Sequence, residues 1–225
     1  DRKPKFGLVW ERDEIEHEKA INSDFVALDF DAGLSCGDAP FGNFIIEGDN
    51  FDALRFLRMT HAGKVKCIYI DPPYNTGNRD FIYNDRFIDK EDAYRHSKWL
   101  EFMYRRLELA KELLADNGVI FVSIDDNEAF NFGLLMNRIF GEKNRLATLV
   151  WQTDGNFDNQ ARFKICHEYV FVYSVNENLV PAPSIIDHNI EETGKLFREE
   201  IRNTIVKNGP KNPVSDIMLP IGFPA

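Results

Sequence analysis

The chain has 225 residues, of which 44% are hydrophobic and 13% aromatic, a composition that predicts one substantial folded core rather than disorder. No apolar stretch approaches the roughly 20 residues of a membrane-spanning helix, so no membrane partner is expected. The net charge of −10 argues against a self-sufficient surface for nucleic acid, because phosphate contacts need Lys and Arg. Three widely spaced cysteines without a CxxC pair indicate a cytoplasmic protein with reduced thiols, of which Cys67 and Cys166 are expected in the core.

The first 43 residues predict an arm or an extra layer without a catalytic motif. We expect a short strand over Phe6–Trp10 and a polar helix over Glu11–Ala20. Structural support or contact with a partner is the expected role of this segment.

A strand is predicted over Phe44–Glu47, followed by a helix over Asp52–Met59 whose apolar residues have helical spacing. Asp49 and Asn50 lie between them. An acidic residue at the carboxyl end of a strand, next to the start of a helix, could face a cofactor. Either residue could instead cap the helix, and both roles can hold together.

Residues 71–74 (Asp-Pro-Pro-Tyr) directly follow the apolar, β-branched run Val65–Ile70, which predicts a buried strand. Residues 75–77 (Asn-Thr-Gly) come next and predict a turn. Two consecutive prolines hold φ near about −65° and remove two backbone N–H donors. The loop is therefore expected to be stiff, with carbonyls that act only as acceptors.

This loop suits the binding of an aromatic amine for methyl transfer. The amine carries two N–H donors, and the Asp71 carboxylate and the Pro72 carbonyl would accept them. Tyr74 offers a flat face for a stacked base, an interaction worth about 1–3 kcal/mol. A base inside a duplex must first rotate out of the stack. The alternative is that residues 71–74 only form a rigid turn after a strand.

Residues 78–90 mix polar and aromatic side chains and predict a loop near the site that could cover a target base. Phe81 and Tyr83 could equally be ordinary packing residues. Basic side chains here could form a phosphate-facing rim or simply a solvated surface; they are Arg79, Arg86, Lys90, Arg95 and Lys98.

Trp99–Leu114 has an apolar stripe at helical spacing, which predicts a core-facing helix with a C-cap at Asn117-Gly118. Val119–Ile124 predicts the next buried strand. Three carboxylates follow it and could suggest a metal site, but we favour capping of the next helix, which runs to Gly141; they are Asp125, Asp126 and Glu128.

Two further strands are predicted over Leu146–Trp151 and Glu168–Tyr173, joined by a polar loop that could contact nucleic acid. His167 precedes the second strand, and we favour a structural or pocket-lining role over a catalytic one, because attack by an amine needs no strong base beforehand. A linker and an irregular segment with one helix, Glu191–Ile205, are expected after residue 176.

Several motifs together resemble the amino-group DNA methyltransferases of the β class, above all the modification (Mod) subunits of type III restriction–modification systems. They are Gly48-Asp49-Asn50, Lys64 to Gly77, Trp99 to Leu114, Gly118 to Glu128, His167 to Tyr173, Lys207 to Pro213 and Leu219 to Pro224. The resemblance implies a Rossmann-like α/β sandwich with a mainly parallel sheet and a late antiparallel strand. Asp in the first motif position implies methylation of adenine N6 in double-stranded DNA.

The resemblance also implies a set of site residues and S-adenosyl-L-methionine (AdoMet) as the cofactor, with no metal needed for methyl transfer. The catalytic loop would be Asp71, Pro72, Pro73 and Tyr74, and the cofactor would contact Asp49, Asn50 and Asp71. The target would be bound by Asn75, Thr76, Ser123, Asp125 and His167.

One departure from the family pattern concerns the Gly-rich loop that cradles AdoMet, which we do not find after the catalytic motif. We therefore expect an incomplete sandwich, with an arm over residues 1–43, a catalytic region over 44–175, and a linker with the start of a target-recognition region over 176–225. The expected partners are double-stranded DNA, a second copy or a complementing half that carries the Gly-rich loop, and a restriction (nuclease) subunit. Two alternatives remain open, namely an amino-methyltransferase for RNA or protein and a non-catalytic DNA-binding or assembly fragment.

Overall fold

The computed structural model describes residues 8–12, 26–37, 40–83, 86–153 and 165–181. Three helices and six strands alternate along these residues, apart from two short 3-10 turns. In chain order they are α1 (Asn50–His61), β1 (Val65–Ile70), β2 (Asn78–Tyr83), β3 (Arg86–Asp89), α2 (Arg95–Leu113), β4 (Leu114–Ile124), α3 (Ala129–Phe140), β5 (Arg145–Gln152) and β6 (His167–Ser174). The predicted α/β class is confirmed.

Four strands form one sheet in the order β1-β4-β6-β5. β1 and β4 are parallel, with Ile70 beside Val122. β6 is antiparallel to both β4 and β5. The sheet is therefore mixed in the described part of the chain, with β1, β4 and β5 running in one direction and β6 in the other. β6 is the late antiparallel strand that we expected.

One face of this sheet carries the core. Ile120, Val122 and Ile124 alternate along β4 and have no solvent exposure. They belong to one cluster with the predicted stripe of α2 and with Phe132 and Leu135 of α3. Full burial of such side chains stabilises the fold by about 1.5–3 kcal/mol each, so the core role of the α2 stripe is confirmed.

The opposite face of the sheet is open among the described residues. Tyr69 and Trp151 point to this side and are 63% and 65% exposed. Cys67 is also exposed, so the prediction of a core thiol there is wrong. Strand alternation explains the error, because Cys67 and Tyr69 share the face that α2 and α3 do not cover.

The segment predicted as a loop after the catalytic motif contains an antiparallel hairpin of β2 and β3. Phe81 and Ile88 are buried in the core, and the ring of Phe81 lies 5.1 Å from that of Phe102 on α2. The packing role considered for Phe81 is therefore confirmed. The loop prediction is wrong because Asn84-Asp85-Arg86 interrupts the apolar and aromatic residues of this segment and hides the two strands.

Two other element predictions are wrong. Phe44–Glu47 forms no strand, and Ile45 is fully exposed, because no described strand pairs with this segment. Helix α2 ends at Leu113, and Gly118 lies inside β4 rather than in a C-cap. A Cβ on Gly118 would meet the Val65 carbonyl at 2.9 Å, so this glycine allows the close approach of β1.

Residues 8–12 dock on α2, and residues 8–10 form no strand there. The helix expected over Glu11–Ala20 lies largely outside the described residues. Trp10 is buried in the core, and its Nε1 donates to the Glu101 carboxylate at 3.0 Å. The Arg12 guanidinium also binds that carboxylate. Burial alone would raise the pKa of Glu101, but hydrogen bonds from Arg12, Arg105 and Trp10 hold it below its ordinary value.

Among the described residues, no helix is both long and apolar enough to cross a membrane. The polar loop between β5 and β6 and the helix expected over Glu191–Ile205 fall largely or wholly outside the described residues. The proposed domain boundaries stay a prediction.

Candidate active site

The predicted site lies where β1 and β4 end side by side. Asp71 follows the last residue of β1, and Asp125 follows the last residue of β4. Because the two strands are parallel and in register at Ile70 and Val122, their carboxyl ends meet at one edge of the sheet. The structure therefore brings Asp71, Ser123 and Asp125 to the same edge.

The proline pair is held from behind by helix α2. Trp99 is fully buried, and its Nε1 donates a 2.7 Å hydrogen bond to the Pro73 carbonyl. Its ring also packs edge-on against Phe132. Trp99 therefore fixes the loop at Pro73 and occupies the carbonyl next to the one that we expect to bind a target amine.

The Tyr74 hydroxyl is held by the carboxylate of Glu168 and lies near that of Asp71. It donates to Glu168 Oε2 of β6 at 3.1 Å. Burial raises the pKa of Tyr74 well above its ordinary value. Hydrogen bonding to Asp71 and Glu168 and the negative charges of these two carboxylates raise it further. The phenol is therefore protonated at neutral pH, and its ring is held by its tip.

Glu168 was not identified as a site residue from the sequence. The only sequence signal was its position in the strand motif that begins at His167. Its contact with Tyr74 spans 94 residues of chain, so no local pattern could reveal it.

The turn predicted over residues 75–77 is present as a bend at Gly77. Asn75 adopts a left-handed conformation with φ of 57°, and Gly77 has φ of 76°. A Cβ on Gly77 would collide with Lys90, so glycine is required at the point where the chain enters the hairpin. Thr76 is partly buried.

Asn75 points into the protein and is only 1% exposed. Its Nδ2 donates to Glu128 Oε1 at 2.5 Å and to the Arg95 carbonyl at 3.4 Å. Contact of Asn75 with a target stays a prediction, because the structure gives the amide nitrogen two acceptors within the protein.

Glu128 does not have the capping role that we predicted for it. Its side chain makes no capping hydrogen bond to α3. The carboxylate is instead buried and also accepts from His96 and Asn131. The start of α3 is supported by Asp125, whose side chain accepts from the Asn127 backbone N–H and whose carbonyl accepts from Ala129.

Two other predicted target contacts lie near this edge of the sheet. Ser123 is buried, and its hydroxyl lies 2.9 Å from the Tyr69 hydroxyl. His167 is partly exposed, and its Nε2 lies 3.0 Å from the hydroxyl of Tyr169, which donates to Asp126. These contacts agree with a structural or pocket-lining role for His167.

Two of the predicted cofactor residues, Asp49 and Asn50, lie at the start of α1. Asp49 caps this helix by accepting from the Phe51 backbone N–H at 2.8 Å, so the capping role is confirmed. Its carboxylate also accepts from Arg106 at 3.2 Å. Burial lowers the pKa of Arg106, and the charge of Asp49 opposes this shift. Asn50 is the exposed first residue of the helix.

The basic residues that follow the loop have different surroundings. Lys98 is nearly buried and pairs with Asp92 at 3.0 Å, whereas Lys90 is exposed. The Arg95 guanidinium lies 3.2 Å from His96 Nε2. The side chains of Arg79 and Arg86 lie outside what the structure describes. Within the described ranges, no group of three or more His, Cys, Asp or Glu side chains is arranged to hold a metal ion.

Comparison with known proteins identifies the family. A model described as DNA methylase matches residues 65–217, more than half of the chain. The EcoPI Mod subunit of a type III restriction-modification enzyme from Escherichia phage P1 is 42% identical over 162 residues, which cover 61% of this chain and 25% of that protein.

Two other relatives show the same pattern of partial coverage. A probable type III Mod subunit, HindVI from Haemophilus influenzae, is 46% identical over 172 residues, covering 71% of this chain and 22% of its own length. The type II methyltransferase M.KpnI from Klebsiella pneumoniae is 36% identical over 132 residues, covering 58% and 32%. The chain thus spans less than a third of the curated relatives it matches, the resemblance to Mod subunits is confirmed, and the chain belongs to the DNA methylase family.

Proposed function

We propose that this protein transfers a methyl group from AdoMet to N6 of an adenine that has rotated out of double-stranded DNA. The observation that carries the proposal is the geometry of residues 71–74 at the carboxyl edge of the sheet. Pro73 and Tyr74 are fixed by Trp99 and Glu168, while the Asp71 residue is exposed. The acceptor that the amine would need is therefore accessible on a loop that is already held in place.

In this proposal the loop acts by positioning and by polarising the amine. The Asp71 carboxylate and the Pro72 carbonyl accept the two N–H groups of N6, and Tyr74 stacks on the base. Both acceptors draw the nitrogen lone pair away from the ring, towards the methyl donor. Such preorganised groups contribute most of their effect in the transition state. Ser123, Asp125 and His167 would border the adenine. Asn75 and Thr76 would contribute from the end of the loop, next to Tyr74.

AdoMet would supply an electrophilic methyl group on a sulfonium. The residues proposed to hold it fit its chemistry, because the Asp49 and Asp71 carboxylates suit its ammonium and hydroxyl groups and the Asn50 amide can donate or accept. Asp49 and Asn50 are both exposed, and Asp49 keeps one face of its carboxylate on Arg106.

The partners are also a proposal. Two of the relatives described above are Mod subunits of type III restriction-modification enzymes, which supports work within a restriction–modification system with a restriction (nuclease) subunit. We propose that a second copy, or a segment with the Gly-rich AdoMet loop, completes the cofactor site. A cytoplasmic location stays a prediction from the cysteine pattern.

The experiment is a transfer assay with the full-length protein and AdoMet carrying an isotope-labelled methyl group. Duplex DNA, RNA and protein are offered separately, and the products are digested and identified by mass spectrometry. We expect label in N6-methyladenine of DNA only. Label in N4-methylcytosine, RNA or protein would contradict the proposal, and DNA binding without transfer would favour the assembly fragment.

The residue test uses Asp71→Ala. We expect transfer to fall by at least about 100-fold, the usual scale for losing one preorganised polar group, with little loss of thermal stability because Asp71 is exposed and the Tyr74 hydroxyl keeps its hydrogen bond to Glu168. Asp116→Ala is the matched control, since Asp116 is also exposed but lies near the amino end of β4. Retained methyl transfer in Asp71→Ala would contradict the proposed role of Asp71.

A further inference from the structure

Glu128 is a buried carboxylate that receives side-chain donors from three separate parts of the fold. Its side chain has no solvent exposure. Asn75 donates from the catalytic loop at 2.5 Å, His96 Nδ1 lies at 2.6 Å in the first turn of α2, and Asn131 donates from the first turn of α3 at 2.9 Å. The carboxylate therefore joins the loop to the two helices that cover the sheet.

A carboxylate in this position needs a specific reason. Burying an ionised group is unfavourable unless it is hydrogen-bonded and paired. The side chain does not cap α3, so helix capping does not account for it. The contacts satisfy both oxygens, since Oε1 accepts from Asn75 and His96 and Oε2 from Asn131.

The hydrogen bond between Asn75 and Glu128 has a fixed direction, with the Asn75 amide as the donor. Both neighbours of its Nδ2 are acceptors, the Glu128 carboxylate and the Arg95 carbonyl, so a flipped amide would place oxygen against oxygen. Its Oδ1 is buried without a hydrogen-bond partner in the structure. The residue also has φ of 57°, which costs a side-chain-bearing residue about 1 kcal/mol or more. The bonds through Nδ2 hold this conformation.

Asn75 directly follows the ring that is proposed to stack on the target. If its backbone relaxed, the peptide between Tyr74 and Asn75 would rotate and carry the ring with it. Trp99 fixes the loop one residue earlier, at Pro73. Glu128 and Trp99 therefore hold the two ends of a segment of only three residues.

We propose that Glu128 is a positioning residue that sets the conformation of the catalytic loop through Asn75. The proposal rests on the function proposed above for its effect on methyl transfer, but not for its effect on the loop itself. Asn75 then acts as the link between the loop and Glu128.

The test compares two buried carboxylates in the full-length protein. Glu101 is the matched control, because it is equally buried and also accepts from three side chains, Trp10, Arg12 and Arg105, but it ties down the N-terminal segment. Glu128→Gln and Glu101→Gln make the same chemical change in both places. In each case the introduced amide places its own N–H groups against the side-chain donors that had bound the carboxylate.

Hydrogen–deuterium exchange decides the structural part without any need for activity. We expect Glu128→Gln to speed exchange of the amides at residues 74–77 by about tenfold or more, as local opening becomes easier, with residues 8–12 unchanged. Glu101→Gln should do the reverse. Unchanged exchange at residues 74–77 in Glu128→Gln would overturn the proposal, whether or not the wild-type protein methylates DNA.

Single-turnover kinetics then test the consequence for chemistry. We expect Glu128→Gln to lower the transfer rate constant by about 10- to 100-fold, the scale of a small misplacement, with little change in the KM for DNA. Glu101→Gln should keep the wild-type rate constant at temperatures where it is folded. Equal rate constants for the two variants would overturn the kinetic role of Glu128.

A double variant separates positioning from loss of stability. Asn75→Asp combined with Glu128→Gln keeps the net charge and reverses the donor and acceptor, so that the introduced amide can donate to the introduced carboxylate. We expect the pair to recover part of the loop protection and of the rate lost in either single variant. Rates that follow only the melting temperature would contradict a positioning role.

Discussion

The loop at residues 71–77 and the segment at residues 44–50, which ends in Asp49 and Asn50, both contain predicted site residues, but they are held very differently. The loop is anchored by side chains from three places outside it, Trp99, Glu128 and Glu168. Among the described residues, the segment is held at its end through Asp49, by a helix cap and one ion pair with Arg106. Ile45 within it is fully exposed.

The difference follows from burial. Hydrogen bonds to buried groups are costly to break because the partner that remains is left unsatisfied, whereas an ion pair whose carboxylate is exposed, as that of Asp49 is, is worth about 0–1 kcal/mol. The proposed amine-binding end of the site is therefore preformed by the residues that the structure describes, and the proposed cofactor end is held weakly by them.

The largest loss of stability is predicted when the hydrogen bond from Trp99 to the Pro73 carbonyl is removed. Trp99→Phe keeps an aromatic ring but removes the donor to the Pro73 carbonyl and leaves a small cavity. We expect a loss of about 2–3 kcal/mol in the free energy of unfolding, measured by urea denaturation, together with slower methyl transfer. Trp151→Phe is the control, because Trp151 is exposed and should change stability by less than about 0.5 kcal/mol. An equal loss of stability in the two variants would contradict the role of Trp99 in holding the loop.

The next effect concerns the anchor at Tyr74. Tyr74→Phe keeps the stacking ring but loses the hydrogen bond to Glu168, so we expect about 1.5 kcal/mol lower stability and a smaller fall in transfer than in Trp99→Phe. Because the pKa of Tyr74 is raised, its phenol stays protonated at neutral pH, and the variant should keep the wild-type pH profile of transfer.

Glu168→Gln separates the hydrogen bond from the charge at the same position. The amide oxygen can still accept from Tyr74, so this variant should stay close to the wild type in stability and rate. A large defect in Glu168→Gln with none in Tyr74→Phe would mean that Glu168 acts by some route other than the ring.

Of the variants that remove an anchoring contact, the one at the cofactor end is predicted to lose the least stability. Asp49→Ala removes the cap of α1 and the partner of Arg106, and should cost about 1 kcal/mol of stability. We expect a higher KM for AdoMet and no change in hydrogen exchange at residues 71–77. Asp52→Ala, which removes an acidic residue from the first turn of the same helix, should leave the KM unchanged. Faster exchange of the loop in Asp49→Ala would erase the contrast between the two regions.

Much of the fold could be predicted because it follows local periodicity. The apolar stripe of α2 and the runs of β1, β5 and β6 lie where the spacing of apolar residues placed them. The prediction failed where tertiary context decides. Phe44–Glu47 has strand composition without a described partner strand, and Gly118 serves a close approach to Val65 that its neighbours in sequence do not reveal.

The candidate site was predictable to a similar extent. Residues 71–77 form the expected loop and turn at the end of a strand. The residues that hold this loop were missed, since the contact between Asn75 and Glu128 spans 53 positions and that between Tyr74 and Glu168 spans 94. A carboxylate ahead of a helix has the sequence signature of a cap, and only its burial distinguishes Glu128.

The most direct test of the account is a crystal structure of the full-length protein with a target duplex and sinefungin, an unreactive analogue of AdoMet. The account predicts adenine N6 within hydrogen-bond distance of the Asp71 carboxylate and the Pro72 carbonyl, its ring on Tyr74, and Asn75 still bonded to Glu128. A base bound elsewhere, or a loop released from Trp99, Glu128 and Glu168 in the complex, would contradict it.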